Sequence, residues 1–577
     1  MIKKLMGSIR EYKKYSVLSP IFVSLEVVME VIIPLLMAKL IDLGINDGNM
    51  KYIAKMGAVL LVCCVISLMF GAFSGKYAAY ASAGFAKNLR HDMYYNVQKY
   101  GFSNIDKFST ASIVTRLTTD VTNVQNAYQM IIRVAVRGPM MLIFSLIMSF
   151  NVNPELSWVF LGSIFVLGGG LYFIMTHAHP IFERVFKSYD KLNNVVQENL
   201  HGIRVVKSFV REDHEVEKFE KVSQSIYNDF TKAEKLLAFN SPLMQFCMYS
   251  CMIVVSWFGA KLIVSNSMTT GELMSLISYA MQILMSLMML SMVLVMIVIS
   301  RASCERIVEI LDEKSDLTNG ENPVFEVRDG SIEFDNVSFD YSKKSDRHCL
   351  TDINFKIPSG ATVGIVGGTG SSKSSLVQLI PRLYDVTEGA VKVGGIDVRD
   401  YDIETLRNQV AMVLQKNVLF SGTIKDNLRW GDENADDNEM IKACKLAQAD
   451  SFIETFPEKY DTYIEQGGSN VSGGQKQRLC IARALLKKPK ILILDDSTSA
   501  VDTATDAMIR RAFMEEIPDT TKIIIAQRIS SIQDADTIIV LDDGRINGMG
   551  THEELIKTND IYREVYESQT RGGADDE

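Results

Sequence analysis

The sequence predicts an α-helical domain of six membrane spans followed by an α/β domain built around a P-loop. Three observations carry that expectation. Residues 16–300 hold nearly all the long apolar runs of the 577-residue chain. Residues 310–577 have the mixed composition of an ordinary globular domain. Within that second half a strand-like run leads into a Gly-rich loop and then a helical pattern, the setting in which such a loop cradles phosphate. The averages hide this split: 47% of residues are hydrophobic and 22% charged, with a mean hydropathy of +0.10.

A helix needs about 20 apolar residues to cross a bilayer. Stretches near 16–44, 54–82, 125–150, 155–178, 240–265 and 271–300 meet that need. The basic segment 1–15, with Lys3, Lys4, Arg10, Lys13 and Lys14, resembles a signal-peptide start. The apolar stretch behind it is too long for one, so an interfacial helix leading into a retained span is expected. The connections Gly44–Lys51, Phe150–Glu155 and Val264–Gly271 are short, whereas 83–124 and 179–239 are long and basic. Positive charge on the cytoplasmic side puts the long segments and both termini in the cytoplasm. Heptad-like spacing, as in Tyr189–Val210, reads as membrane helices continuing beyond the bilayer. The expected domains are therefore a transmembrane domain over 1–310, a turn-rich linker over 311–330, an α/β domain over 331–570 and a disordered tail over 571–577.

Charges inside apolar spans are costly and are usually paired or functional. Glu26 and Glu30 lie one turn apart, as do Arg133 and Arg137. They read either as structural pairs or as a cavity patch for cationic cargo. Met285, Met288, Met289, Met292 and Met296 recur at helical spacing. They read as packing or lipid contact, or, with Tyr279, Gln282, Met140 and Phe246, as a wall for bulky apolar compounds.

The P-loop is Gly367-Gly368-Thr369-Gly370-Ser371-Ser372-Lys373-Ser374, followed by Ser375. Its successive N–H groups and the helix start behind it favour phosphate oxygens. Lys373 is placed to reach the β- and γ-phosphates, and the Ser374 hydroxyl to ligate Mg²⁺. Asp495, closing the apolar strand Ile491–Leu494, is placed to hold the same ion. Ser372 stands where the pattern has Gly. If its φ is positive, its Cβ costs about 1–2 kcal/mol; otherwise Ser is simply tolerated there.

Asn470–Arg478, containing Ser472-Gly473-Gly474-Gln475, resembles the signature of ATP-binding cassette (ABC) transporters, and six spans plus one nucleotide-binding domain resemble their half-size exporters of the type IV fold. The resemblance implies roles, with ATP and Mg²⁺ as cofactors. Tyr341 would stack on adenine, and Gln415 would be the Q-loop ligand of Mg²⁺. Glu465 would lie in the cross-talk loop, and Ser499-Ala500-Val501-Asp502 would form the D-loop. Phe108–Asp120 and His201–Asp213 would carry the coupling helices. Asp496 occupies the position of the catalytic Glu, and Gln527 that of the switch His.

Those two departures and Ser372 fall on one face. Asp is a methylene too short to reach the attacking water, and Gln cannot carry the charge or shuttle the proton of His. ATP lies between one chain's P-loop and another's signature in this family. The sequence therefore resembles the degenerate-site subunit of bacterial heterodimeric multidrug exporters. That implies a partner half transporter with intact Glu and His, a plasma-membrane location, and hydrophobic or amphipathic cargo. Lipid or peptide export, or an ATP-binding regulatory subunit, are the alternatives.

Composition removes other classes. A net charge of −9 argues against nucleic acid as a main partner. The eight cysteines show no metal-spaced pair and read as reduced fillers. Six spans exclude soluble cassette ATPases, and their fusion to the ATP domain disfavours importers.

Overall fold

The computed structural model describes residues 1–341, 348–496 and 501–571, apart from the side chains of residues 179, 183, 186, 190, 298, 299 and 571. Ser499 and Ala500 of the expected D-loop, and residues 572–577 of the expected tail, lie outside the described residues. The chain forms two compact units: Met1–Gln98 with Thr110–Glu313, and Lys99–Ser109 with Lys314–Glu577.

The first unit is helical. Among its described residues, six helical stretches are long and apolar enough to cross a membrane: Arg10–Asn46, Met50–Gln98, Thr110–Val152, Pro154–His201, Glu212–Val264 and Thr270–Asp312. The second of these is one uninterrupted helix of 49 residues. At 1.5 Å per residue it is about 70 Å long, more than twice the apolar thickness of a bilayer. The tight corners between spans are set by caps. Asn153 accepts the Leu156 N–H, with Pro154 at the first helical position. Thr269 and Glu272 cap each other's backbone in a capping box.

Three of the four intramembrane charges, Glu26, Glu30 and Arg137, pair with one another. Arg137 donates to Glu26 Oε1 at 2.5 Å and to both oxygens of Glu30 at 2.7 and 2.8 Å. Gly71 makes room for this cluster, since a Cβ there would sit 2.9 Å from Glu26 Oε1. Two members of the suggested drug wall are bonded within the unit. Tyr279 is fully buried and donates to the Val31 carbonyl at 2.9 Å. Gln282 accepts from Ser145 at 2.8 Å. Met285, Met288 and Met292 lie on the surface of this unit.

The second unit is α/β. Strands β1 (Ile332–Phe339), β2 (Leu350–Ile357), β4 (Glu388–Val393) and β5 (Ile396–Asp397) form an antiparallel sheet in the order β2-β1-β4-β5. Strands β3 (Thr362–Gly367), β6 (Val410–Val413), β7 (Ile491–Asp495), β8 (Thr521–Ile525), β9 (Thr537–Asp542) and β10 (Arg545–Gly550) form the larger sheet, ordered β10-β9-β3-β8-β7-β6. All its pairings are parallel except β9 with β10. Strands β7 and β8 are buried at every residue, including the polar Asp495, Thr521 and Lys522, as central strands of a parallel sheet are.

Two connecting segments behave differently from the sequence expectation. Part of the stretch read as linker packs with the α/β unit: Val327 is buried, and Val324 pairs with the backbone of Asp400 and Asp402. Ahead of the third span, the helix Thr110–Thr115 falls inside the expected Phe108–Asp120, while a separate short helix, Phe102–Lys107, lies upstream of it. That upstream helix belongs to the second unit because Ser103 donates to Asp316 at 2.8 Å and the Tyr384 hydroxyl donates to Asp106 at 2.6 Å. Apolar spacing could not reveal those polar contacts. The second long connection holds a helix over Ile203–Ser208, inside the expected His201–Asp213.

Candidate nucleotide site

The site begins where β3 ends. A Cβ at Gly367 would run into the Leu541 carbonyl oxygen of β9, so only glycine lets the strand turn there. Gly370 has φ +87°, and Ser372 stands in the left-handed region at φ 68°, ψ 24°. The condition attached to Ser372 is met: it holds a conformation that favours glycine, at a cost of about 1–2 kcal/mol. The helix Lys373–Gln378 starts at the next residue.

Lys373 folds back over the loop. Its Nζ donates to the carbonyls of Gly367 and Gly368 at 2.8 Å each and to Ser371 Oγ at 3.2 Å. Burial lowers its pKa, against the pull of Asp495 and Asp496. These carbonyl bonds outline the cradle that Gly368, Thr369 and Gly370 form. Ser374 Oγ donates to Asp495 Oδ1 at 3.0 Å. Burial raises the Asp495 pKa, and neighbouring Asp496 adds to the rise.

Asp496 is the centre of the second group. It follows β7 with φ 48°, and its N–H donates to the Ile525 carbonyl at 3.0 Å. Its Oδ2 accepts from Gln527 Nε2 at 2.6 Å and faces Gln415 Nε2 at 3.5 Å. Burial raises its pKa, and the two amides pull it back. The three residues expected at the catalytic centre are thus brought together. The two that depart from the family pattern bond to each other.

Tyr341 lies beside the loop with its hydroxyl donating to Ser375 Oγ at 2.9 Å and its ring 52% exposed, open on one side for stacking. Phe339 and Tyr384 stand edge-on to it at 4.8 and 5.0 Å. The signature residues stand at their own helix. Ser472 caps Gly473–Leu486, accepting the Gln475 N–H at 3.2 Å, while Gln475 Oε1 accepts the Ser472 N–H at 2.9 Å. Gly473 and Gly474 form its first turn. Asp502 caps Thr503–Glu516 through the Thr505 N–H at 2.9 Å. Glu465 accepts from Ser469 Oγ at 2.7 Å.

Two neighbours escape any sequence signal. Cys349 Sγ lies 3.2 Å from Ser372 Oγ, and Gln569, 42 residues downstream, bonds the backbone of Gln527. Neither position carries a motif.

With this geometry in place, the comparisons are specific. Residues 17–287 match the model of the ABC transporter transmembrane region, and residues 350–499 match the model described as ABC transporter. YfiB of Bacillus subtilis, an uncharacterized ABC transporter ATP-binding protein, is 37% identical over 568 residues, covering 98% of each chain. This chain belongs to the ABC transporter family. The ABC transporter half has further relatives, among them an ATP-dependent lipid A-core flippase of Desulfotalea psychrophila, 33% identical over 494 residues and covering 84% of each chain. The structure of a bacterial Atm1-family ABC exporter with ATP bound superposes with a TM-score of 0.84 over 96% of this chain and 99% of that one. At 24% identity that likeness speaks to the fold alone.

The protein is therefore an ABC half transporter with the fold of an ABC exporter: six candidate spans, then one ABC domain, a layout that implies a second ABC subunit and a lipid membrane. Its ATPase domain implies ATP binding. The residues also fit Mg²⁺. The Ser374 hydroxyl and the Asp495 carboxylate converge at 3.0 Å, two hard oxygen donors for an ion that takes its other ligands from water and phosphate.

Proposed function

We propose that this half transporter is one subunit of a heterodimeric exporter, and that its own ATP site holds MgATP but rarely cuts it. The observation that carries the reading is the bond between Asp496 and Gln527. An amide donating to Oδ2 at 2.6 Å stabilises the carboxylate and makes it a weaker base for water. The left-handed Ser372 adds strain on the same face, while the capping box at Ser472–Gln475 remains whole and would serve the partner's ATP.

In this reading Lys373 binds the phosphates, Tyr341 stacks on adenine, and Ser374, Asp495 and Gln415 hold Mg²⁺. Asp502 reaches toward the opposite site. The partner supplies the missing Glu and His. Ile203–Ser208, with exposed Ile203 and Val205 and followed by Phe209 and Val210, offers an apolar face for the partner's ATPase domain. The complex sits in the plasma membrane with both termini in the cytoplasm. It moves hydrophobic or amphipathic compounds outward.

Comparing the lone chain with the co-purified pair of half transporters tests this. The lone chain should hydrolyse ATP slowly and the pair quickly. Brisk turnover by the lone chain, lost in Lys373→Ala, would sink the heterodimer reading. Lipid export is the second reading, favoured by the relative named as a lipid A-core flippase. Stimulation of the pair by lipid and not by dyes would select it.

A further inference from the structure

The C-terminal helix Asp560–Arg571 reaches the switch segment through one side chain. Gln569 Nε2 donates to the Gln527 carbonyl at 2.8 Å, and Gln569 Oε1 accepts the Ile529 N–H at 2.9 Å. One amide thus brackets Arg528 and satisfies a backbone group on either side of it. A glutamine on the last turn of a surface helix is ordinarily solvated; here both ends of its amide are engaged by chain 40 and 42 residues away.

The helix is firmly seated, so the amide has a fixed base. Tyr562 is fully buried, with its hydroxyl 2.7 Å from His552 Nδ1 and its N–H donating to Asn559 Oδ1 at 2.9 Å. Asn559 in turn donates to Asn547 Oδ1 at 2.8 Å, and Val565 and Tyr566 pack against the core. On the other side, the Gln527 backbone held by Gln569 carries the side chain that meets Asp496 at 2.6 Å. The chain of contacts runs from a buried tyrosine, through one exposed amide, to the reacting face of the ATP site.

We propose that Gln569 is a positioning residue of the ATP site. It fixes the switch backbone so that the side chain at 527 stands against the side chain at 496. Gln569 itself touches neither side chain. The inference holds whether the site cuts ATP or only keeps it, because it concerns where residue 527 is held.

The test uses the full-length chain in nanodiscs, alone and in the complex. In Gln569→Ala, hydrogen exchange at the Ile529 amide should rise at least about tenfold, while MgATP affinity and the exchange of residues 560–566 stay unchanged. In the Asp496→Glu, Gln527→His background, adding Gln569→Ala should lower kcat about tenfold at constant KM, the signature of misplacement by a fraction of an ångström. Gln569→Glu keeps the acceptor for Ile529 and loses the donor for Gln527. It should leave the Ile529 amide protected and still lower kcat. Unchanged exchange in Gln569→Ala would overturn the proposal. So would a rise spread equally over the C-terminal helix, because the amide would then serve only to dock that helix. Neither result bears on the lone-chain hydrolysis that tests the heterodimer reading.

Discussion

Replacing Asp496 by Glu and Gln527 by His should turn this chain's own ATP site into one that hydrolyses. In the proposed reading, two effects hold it back in the native chain. Oδ2 of Asp496 accepts from Gln527 at 2.6 Å, a bond that stabilises the carboxylate as it stands and so weakens it as a base. A hydrogen bond to an ionised acceptor is worth about 1.5–3 kcal/mol, or about ten- to a hundredfold in rate at roughly 1.4 kcal/mol per tenfold. The missing methylene displaces the base by about 1 Å, on the order of another hundredfold. Gln527→Ala alone removes the first effect and should raise turnover by about tenfold. The double variant removes both and should raise it by about a thousandfold. The assay is ATP hydrolysis by the complex with the partner's catalytic Glu changed to Gln, so that this site alone is counted. The strain at Ser372 is removed in parallel with Ser372→Gly. If the triple variant binds MgATP yet turns over no faster than the native site, the argument from base geometry is refuted.

Other expectations concern single features. Ser372→Gly releases about 1–2 kcal/mol of left-handed strain, offset by roughly 0.5–1 kcal/mol of added chain entropy. Thermal unfolding should therefore change little, while isothermal titration shows ATP binding slightly tighter or equal. Arg137→Leu leaves Glu26 and Glu30 without their cation and should cost about 3–5 kcal/mol of stability in a thermal unfolding assay; replacing all three by Leu should recover most of it. Ser472→Ala removes a helix cap worth about 1 kcal/mol. It should abolish hydrolysis at the partner's site while nucleotide binding to this chain's P-loop persists.

The last expectation is a pH dependence. Burial raises the Asp495 and Asp496 pKa values in the folded, nucleotide-free protein. A raised carboxylate stabilises the fold at low pH, and that contribution is lost as the pH rises through its folded pKa. Protons therefore compete with Mg²⁺ at Asp495 above the pH where an exposed aspartate titrates. MgATP affinity should weaken early as the pH is lowered from neutrality. Asp495→Asn should bind more weakly and show little of this dependence.

Much of the molecule is written in local pattern. Unbroken apolar runs define the spans, because no alternative burial exists for twenty successive apolar residues in water. The P-loop is legible because its chemistry needs glycines, Lys373 and Ser374 within one turn of chain. The signature helix is legible because Ser472 and Gln475 cap each other locally. Glu26, Glu30 and Arg137 show as costly charges in the sequence, but which of them pair follows from packing of the first and third spans.

What the sequence by itself determined is the domain order, the phosphate loop and the residue types on the reacting face. Tertiary structure alone decided four things: the left-handed turn at Ser372, the bond between Asp496 and Gln527, the placement of Phe102–Lys107 with the α/β unit, and the grip of Gln569 on the switch. The reason is physical. Spacing along a chain records which residues share a helix face or a loop. The contacts that cap Asp496 join the ends of two strands, and Gln569 comes from a helix 42 residues further on. Such contacts exist only once the sheet has brought its strand ends side by side.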